Sequence, residues 1–331
     1  MKKIIVFFTG GTIGMRPAAS GRGVVPGDNF NELLADAVTL PEGVEVIPRP
    51  WSDIPSPHMT PEGMYSLSRD IDTALEQDDI VGAVVLHGTD TLVETAYMLD
   101  ITLQSRKPVV ITGAMRYLSE SGYDGVRNMI NGIRVCLEPL PADTGVSVLM
   151  TDRIFAARDV VKVNSLNVDA FAANEAGLLG YVAGDRILLS RHLCLHAQTR
   201  TPQSPEALEL NVPIISCFTG MDSSLVDFVL DNGAKGFVVE GFGAGNVPPG
   251  IVPGIQRALD ADIPVVLCTR CTEGGVWPVY GYEGGAADLQ ERGVIMGGRL
   301  NGVKARIQLM VALGVTTDIT RIREYFHQDW L

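Results

Sequence analysis

The chain reads as a two-domain α/β protein, with a larger N-terminal Rossmann-like, mostly parallel sheet flanked by helices and a smaller C-terminal parallel α/β domain. Three observations predict this. Apolar, β-branched runs alternate with helix-like stretches along the whole chain. Those runs are continuous rather than alternating in polarity, which marks strands buried on both faces and therefore parallel. A polar, proline-containing stretch breaks the rhythm over residues 197–211, and 331 residues exceed what one compact core usually holds. The expected division is 1–192, a linker over 193–211, and 212–331.

Each element follows from its local pattern. Strands are expected at 4–8, 80–86, 108–112 and 146–150, with helices near 29–38, 61–78, 92–104 and 125–137. Thr60 before Pro61 suits an N-cap followed by proline at the first helical position. Thr91-Leu92-Val93-Glu94 fits a capping box at the start of the next helix. In the second domain strands are expected at 212–216, 235–239 and 263–267, and helices at 224–231, 251–260, 300–313 and 318–327. Met1-Lys2-Lys3 and the five apolar residues after it superficially suggest a signal peptide. That run meets Thr9-Gly10-Gly11 with no cleavage-like segment, so it is read as the first strand and the protein is expected in the cytoplasm.

Composition narrows the function. A net charge of −13 argues against a nucleic-acid partner, whose backbone demands clustered Lys and Arg. No apolar run approaches the roughly 20 residues needed to span a bilayer. The five cysteines are odd in number and lack small-domain spacing. Cys268 and Cys271 form a single C-x-x-C after an apolar run, without the second pair a zinc site needs. His192, Cys194 and His196 alternate along one segment but lack an evident fourth ligand. No metal or cofactor is expected.

Chemistry concentrates in two short segments. Thr9-Gly10-Gly11-Thr12-Ile13-Gly14 follows the first expected strand, and His87-Gly88-Thr89-Asp90-Thr91 follows the second. Ligands of open α/β sheets collect outside the carboxyl ends of the strands. Glycines there admit close backbone approach, and backbone N–H groups can hold an oxyanion. Neither G-x-G-x-x-G at the first turn nor Gly-Lys-Ser/Thr is present, so nucleotide phosphate is disfavoured. Two threonines and an aspartate in one crevice suggest nucleophilic acyl chemistry.

These two segments resemble the paired signatures of the bacterial-type L-asparaginase/glutaminase family, most closely its cytoplasmic, type I-like branch. Gly113-Ala114-Met115-Arg116 with Asp124, Gly125 and Asn128, and Ala157-Arg158-Asp159-Val160-Val161-Lys162, are similar to two further family segments in the same order. The resemblance implies hydrolysis of L-asparagine to L-aspartate and ammonia without cofactor. It implies Thr12 as the nucleophile that forms an acyl-enzyme, and Thr89, Asp90 and Lys162 as a second catalytic group. It also implies Ser56 and Asp90 as contacts to the substrate carboxylate and ammonium. Asn246 and either Tyr282 or Glu283 would reach a neighbouring subunit's site, so a homodimer or homotetramer with shared sites is expected. Glutamine or a D-amino acid amide remains an alternative substrate, and a non-catalytic ligand-binding relative remains an alternative class.

Two departures stand out. The lid segment 15–26 carries no tyrosine where the family has a catalytic one; Val24 stands at that place, with Arg22 nearby. Pro57 and His58 replace small polar or amide residues beside Ser56.

Overall fold

The computed structural model describes residues 1–21, 23–25, 40–138, 144–173, 175–190 and 203–327. Contacts divide the chain into two compact units, residues 1–202 and 203–331. The helix expected at 29–38, the segment 193–202 and the His192/Cys194/His196 set lie outside the described residues.

In the first unit the strands are β1 (Lys2–Phe8), β2 (Arg16–Pro17), β3 (Val24–Val25), β4 (Val44–Pro50), β5 (Ile80–Leu86) and β6 (Val109–Thr112). They continue as β7 (Val146–Met150), β8 (Arg153–Ala156), β9 (Val161–Lys162), β10 (Phe171–Ala172), β11 (Gly180–Ala183) and β12 (Arg186–Leu189). Described helices are α1 (Pro61–Leu75), α2 (Leu92–Thr102) and α3 (Gly125–Leu137). The main sheet has the order β12-β11-β8-β7-β6-β5-β1-β4. The block β4-β1-β5-β6-β7 is parallel, and β8, β11 and β12 add antiparallel neighbours at one edge.

The continuous apolar strands serve two cores. Because side chains alternate across a strand, Ile5 and Phe7 pack with Leu67, Ile71 and Leu99 of α1 and α2 on one face. Ile4, Val6 and Phe8 pack with Met129 and Ile133 of α3 on the other. Each such fully buried side chain contributes about 1.5–3 kcal/mol of apolar transfer. The chain leaves β1 for β4 on one side and returns to β5 on the other, so the order reverses at β1. That reversal is a topological switch point, where crevices form.

The second unit is a four-stranded parallel sheet in the order β13 (Ile214–Ser216), β14 (Phe237–Gly241), β15 (Val265–Thr269) and β16 (Ile295–Met296). Around it lie α4 (Ser224–Asp231), α5 (Val252–Asp260), α6 (Ala286–Arg292), α7 (Gly302–Val315) and α8 (Ile319–His327). Phe237, Val239, Val265 and Leu267 form its core with Ile255, Ala258 and Leu289. Cys268 is fully buried and its thiol is pushed well above the ordinary range by desolvation, while Cys271 is exposed.

The caps divide. Thr60 accepts a hydrogen bond from the Gly63 amide at 3.1 Å, as an N-cap should. Thr91 makes no cap bond, which corrects the capping-box expectation. Its hydroxyl instead donates to the Ser56 carbonyl at 2.8 Å, because the loop after β4 lies beside it.

Candidate active site

The site begins at the turn after β1. Gly10 and Gly11 hold φ of 99° and 88°, a region closed to most side-chain-bearing residues. A Cβ on Gly10 would lie 2.5 Å from the Ile54 amide nitrogen, and one on Gly11 would strike the backbone of Gly88. A Cβ on Gly88 would lie 2.7 Å from Ser56 Oγ. The two threonine segments and the loop after β4 therefore abut backbone to backbone, and their glycines are what permits it. Thr12 opens a single 3₁₀ turn, Thr12–Gly14, and is partly accessible. The turn closes through Gly14 N–H to Gly11 O at 3.0 Å and Met15 N–H to Thr12 O at 3.1 Å.

Ser56 sits in a 3₁₀ turn after β4, Ser56–His58, and is 5% exposed. Its hydroxyl accepts from the Asp90 amide at 3.2 Å. His58, beside it, is exposed. Thr9 ties β1 to β5 by donating from its hydroxyl to Leu86 O at 3.0 Å.

Lys162 arrives from β9, which pairs with β10 so that Lys162 faces Phe171 in register. Its Nζ donates to Thr89 Oγ1 at 3.0 Å and to an Asp90 carboxylate oxygen at 2.7 Å. The Lys162 side chain is 15% exposed and the Asp90 side chain 63% exposed, so the lysine is largely covered while the carboxylate stays open to solvent. With Nζ as donor, the Thr89 hydroxyl proton is free to point elsewhere.

His87 is a strut rather than a relay. Burial pushes its imidazole down to about 4, so it is neutral near pH 7. Its Nδ1–H donates to Gly88 O at 2.7 Å, and the neutral Nε2 then accepts from Thr95 Oγ1 at 3.0 Å. Behind it, Gly113 has no room for a Cβ against His87 O. Asp124 accepts from the Met115 and Arg116 amides at 3.2 and 3.1 Å, and Asn128 Nδ2 donates to Gly113 O at 3.0 Å. These two side chains hold the loop after β6; the sequence pattern placed them in the right segment without showing what they bind.

After Thr12, β2 pairs antiparallel with β3, and Val24 on β3 is 38% exposed. Arg22 lies outside the described residues. Ser56, Thr89, Asp90 and Lys162 thus come together within the first unit, and Thr12 follows directly on the Gly11–Gly88 junction beside them. Asn246, Tyr282 and Glu283 belong to the second. There Asn246 Oδ1 accepts from the Ala286 amide at 3.3 Å, at the start of α6, and Val247 N–H donates to Gly284 O at 2.8 Å. Tyr282 and Glu283 are exposed, with the Tyr280 and Tyr282 rings 5.6 Å apart. Among the described residues no three His, Cys, Asp or Glu side chains cluster as a metal site would require. Nor is any helix among them long and apolar enough to cross a membrane.

Comparison with known proteins agrees over the full length. The family model for the asparaginase N-terminal domain matches residues 3–194, and that for the glutaminase/asparaginase C-terminal domain matches 211–326. An "L-asparaginase" of Bacillus licheniformis is 35% identical over 94% of this chain and 95% of its own. A "Probable L-asparaginase" of Deinococcus radiodurans is 37% identical over 99% of this chain and 98% of its own. The crystal structure of a "Probable Cytoplasmic L-asparaginase" from Campylobacter jejuni superposes with a TM-score of 0.84 at 30% identity, covering 99% of both chains.

Proposed function

The chain belongs to the asparaginase family, and from that premise we propose that it is a cytoplasmic L-asparaginase that converts L-asparagine and water to L-aspartate and ammonia. Thr12 Oγ1 attacks the side-chain amide carbon, ammonia leaves, and water hydrolyses the threonyl ester. Thr89 and Lys162 move the protons, with the Asp90 carboxylate balancing the charge on Nζ. Asp90 also offers its carboxylate to the substrate α-ammonium, and Ser56 stands at the α-carboxylate. The observation that supports this reading best is the Lys162–Thr89–Asp90 contact set, made across more than 70 residues of sequence beside the Gly11–Gly88 junction.

Ammonia release from L- and D-asparagine, L- and D-glutamine and simple amides tests the reading. L-Asparagine is expected to give the highest kcat/KM. Preference for glutamine or a D-amide would move the assignment to the alternative substrate, and no release from any amide would overturn the enzyme.

The site is completed in a homo-oligomer by Asn246 and the Tyr282–Glu283 pair of a second copy. Mixing Thr12→Ala chains with Asn246→Ala chains, each nearly dead alone, should then restore activity as mixed oligomers form. Absence of recovery despite proven subunit mixing would place each site within one chain.

A further inference from the structure

The turn that carries Thr12 is held from outside by a side chain that none of the motifs includes. Tyr123, at the end of the connection between β6 and α3, donates its phenol hydroxyl to Ile13 O at 2.6 Å. The same peptide unit donates through Gly14 N–H to Gly11 O at 3.0 Å, so the bonds run in series across the turn and polarise one another. The connection grips the next residue as well, since Leu118 N–H donates to Met15 O at 3.2 Å.

Tyr123 is itself held in place. Its amide donates to Glu120 O at 3.1 Å, and the adjacent Asp124 carboxylate is anchored by the Met115 and Arg116 amides. The following residue, Gly125, leaves room for this arrangement: a Cβ there would collide with the phenol and lie 2.7 Å from Ile13 Cγ1. The hydroxyl therefore reaches a backbone carbonyl one residue from Thr12 from a rigid support.

We propose that Tyr123 is a positioning residue for the reaction: it fixes the Thr12 turn so that the nucleophilic hydroxyl is presented in attacking geometry. This rests on the reading of Thr12 as nucleophile, and it adds a residue outside the threonine segments, the lysine segment and the lid.

The test is Tyr123→Phe in the full-length protein, compared with the parent and with Thr12→Ala at a temperature well below melting. The expected result is a kcat lower by roughly ten- to a hundredfold, the range in which small misplacements of reacting groups fall. KM should stay within about twofold, because substrate contacts are untouched. The pH–rate profile should keep its shape, because Tyr123 transfers no proton. An unchanged kcat, a loss confined to KM, or the disappearance of one limb of the profile would overturn the proposal. If the Phe variant does not fold, Tyr123→Met retains bulk without the donor and must show the same loss. Substantial activity in Thr12→Ala would instead sink the nucleophile assignment, an outcome distinguishable from normal turnover in Tyr123→Phe.

Discussion

Thr12→Ala should abolish asparagine hydrolysis, lowering kcat by roughly 10⁴–10⁶-fold, the range seen when a catalytic nucleophile is removed. That corresponds to about 5 kcal/mol or more of transition-state stabilisation. The fold should survive. The Thr12–Gly14 turn closes through backbone groups of Gly11, Thr12, Gly14 and Met15, and none of those bonds uses the threonine hydroxyl. Substrate affinity should also persist, because the contacts proposed for the amino acid's ammonium and carboxylate are Asp90 and Ser56, not Thr12. The measurement pairs ammonia release with calorimetric binding of L-asparagine to the inactive variant. Thr89→Ala is the necessary comparison. Thr89 is 5% exposed and its oxygen is engaged by Lys162, whereas Thr12 is the more accessible of the two. Substantial turnover in Thr12→Ala with none in Thr89→Ala would reverse the two roles.

Lys162→Met should produce the second largest loss. Methionine keeps the length and apolar stem of the side chain but removes Nζ, leaving the Thr89 hydroxyl and the Asp90 carboxylate without their common donor. Acid–base groups contribute about 10²–10⁴-fold in rate, so kcat should fall within that range. The control Asp90→Asn keeps a polar group at the same place and removes its charge. It should raise KM through the substrate ammonium as well as lower kcat. If Lys162→Met stays within about tenfold of the parent in kcat while Asp90→Asn does not, the lysine only orders the aspartate and the proton route lies elsewhere.

Much of the architecture was legible in local patterns. The apolar runs at 4–8, 80–86, 108–112 and 146–150 correspond to β1, β5, β6 and β7, and the three C-terminal runs to β13, β14 and β15. What escaped were edge and short elements. β4 lies at the sheet edge, half buried, and contains Pro48 and Pro50, which an edge position tolerates and a central strand does not. The antiparallel strands β8, β11 and β12 are four residues each, and β16 is two, too short for a periodic signal. Helix α6 spans seven residues and ends at Gly293 in the left-handed region, with only Ala286 and Leu289 buried. Helices α1 and α2 stop two or three residues before the expected ends, within the ordinary fraying of helix boundaries.

By itself the sequence determined the fold class and the family, and it singled out the residues proposed to carry the chemistry. These are local properties: a continuous apolar strand, glycines where a turn needs positive φ, and threonines at strand ends can all be read within a dozen residues. Only the tertiary structure decided which groups meet. A hydroxyl or an amine can serve several partners, and its choice depends on chain brought close from far away. Thr91 carries a capping-box pattern, yet its hydroxyl goes to Ser56 O because the loop after β4 lies there. Lys162 finds Thr89 and Asp90 across 73 and 72 residues, through the placement of β9 rather than any feature of its neighbours. Tyr123 reaches Ile13 across 110 residues, which no periodicity in either segment records. Local stereochemistry selects the elements, whereas packing the sheet around its switch point brings the side chains of distant segments within hydrogen-bonding distance.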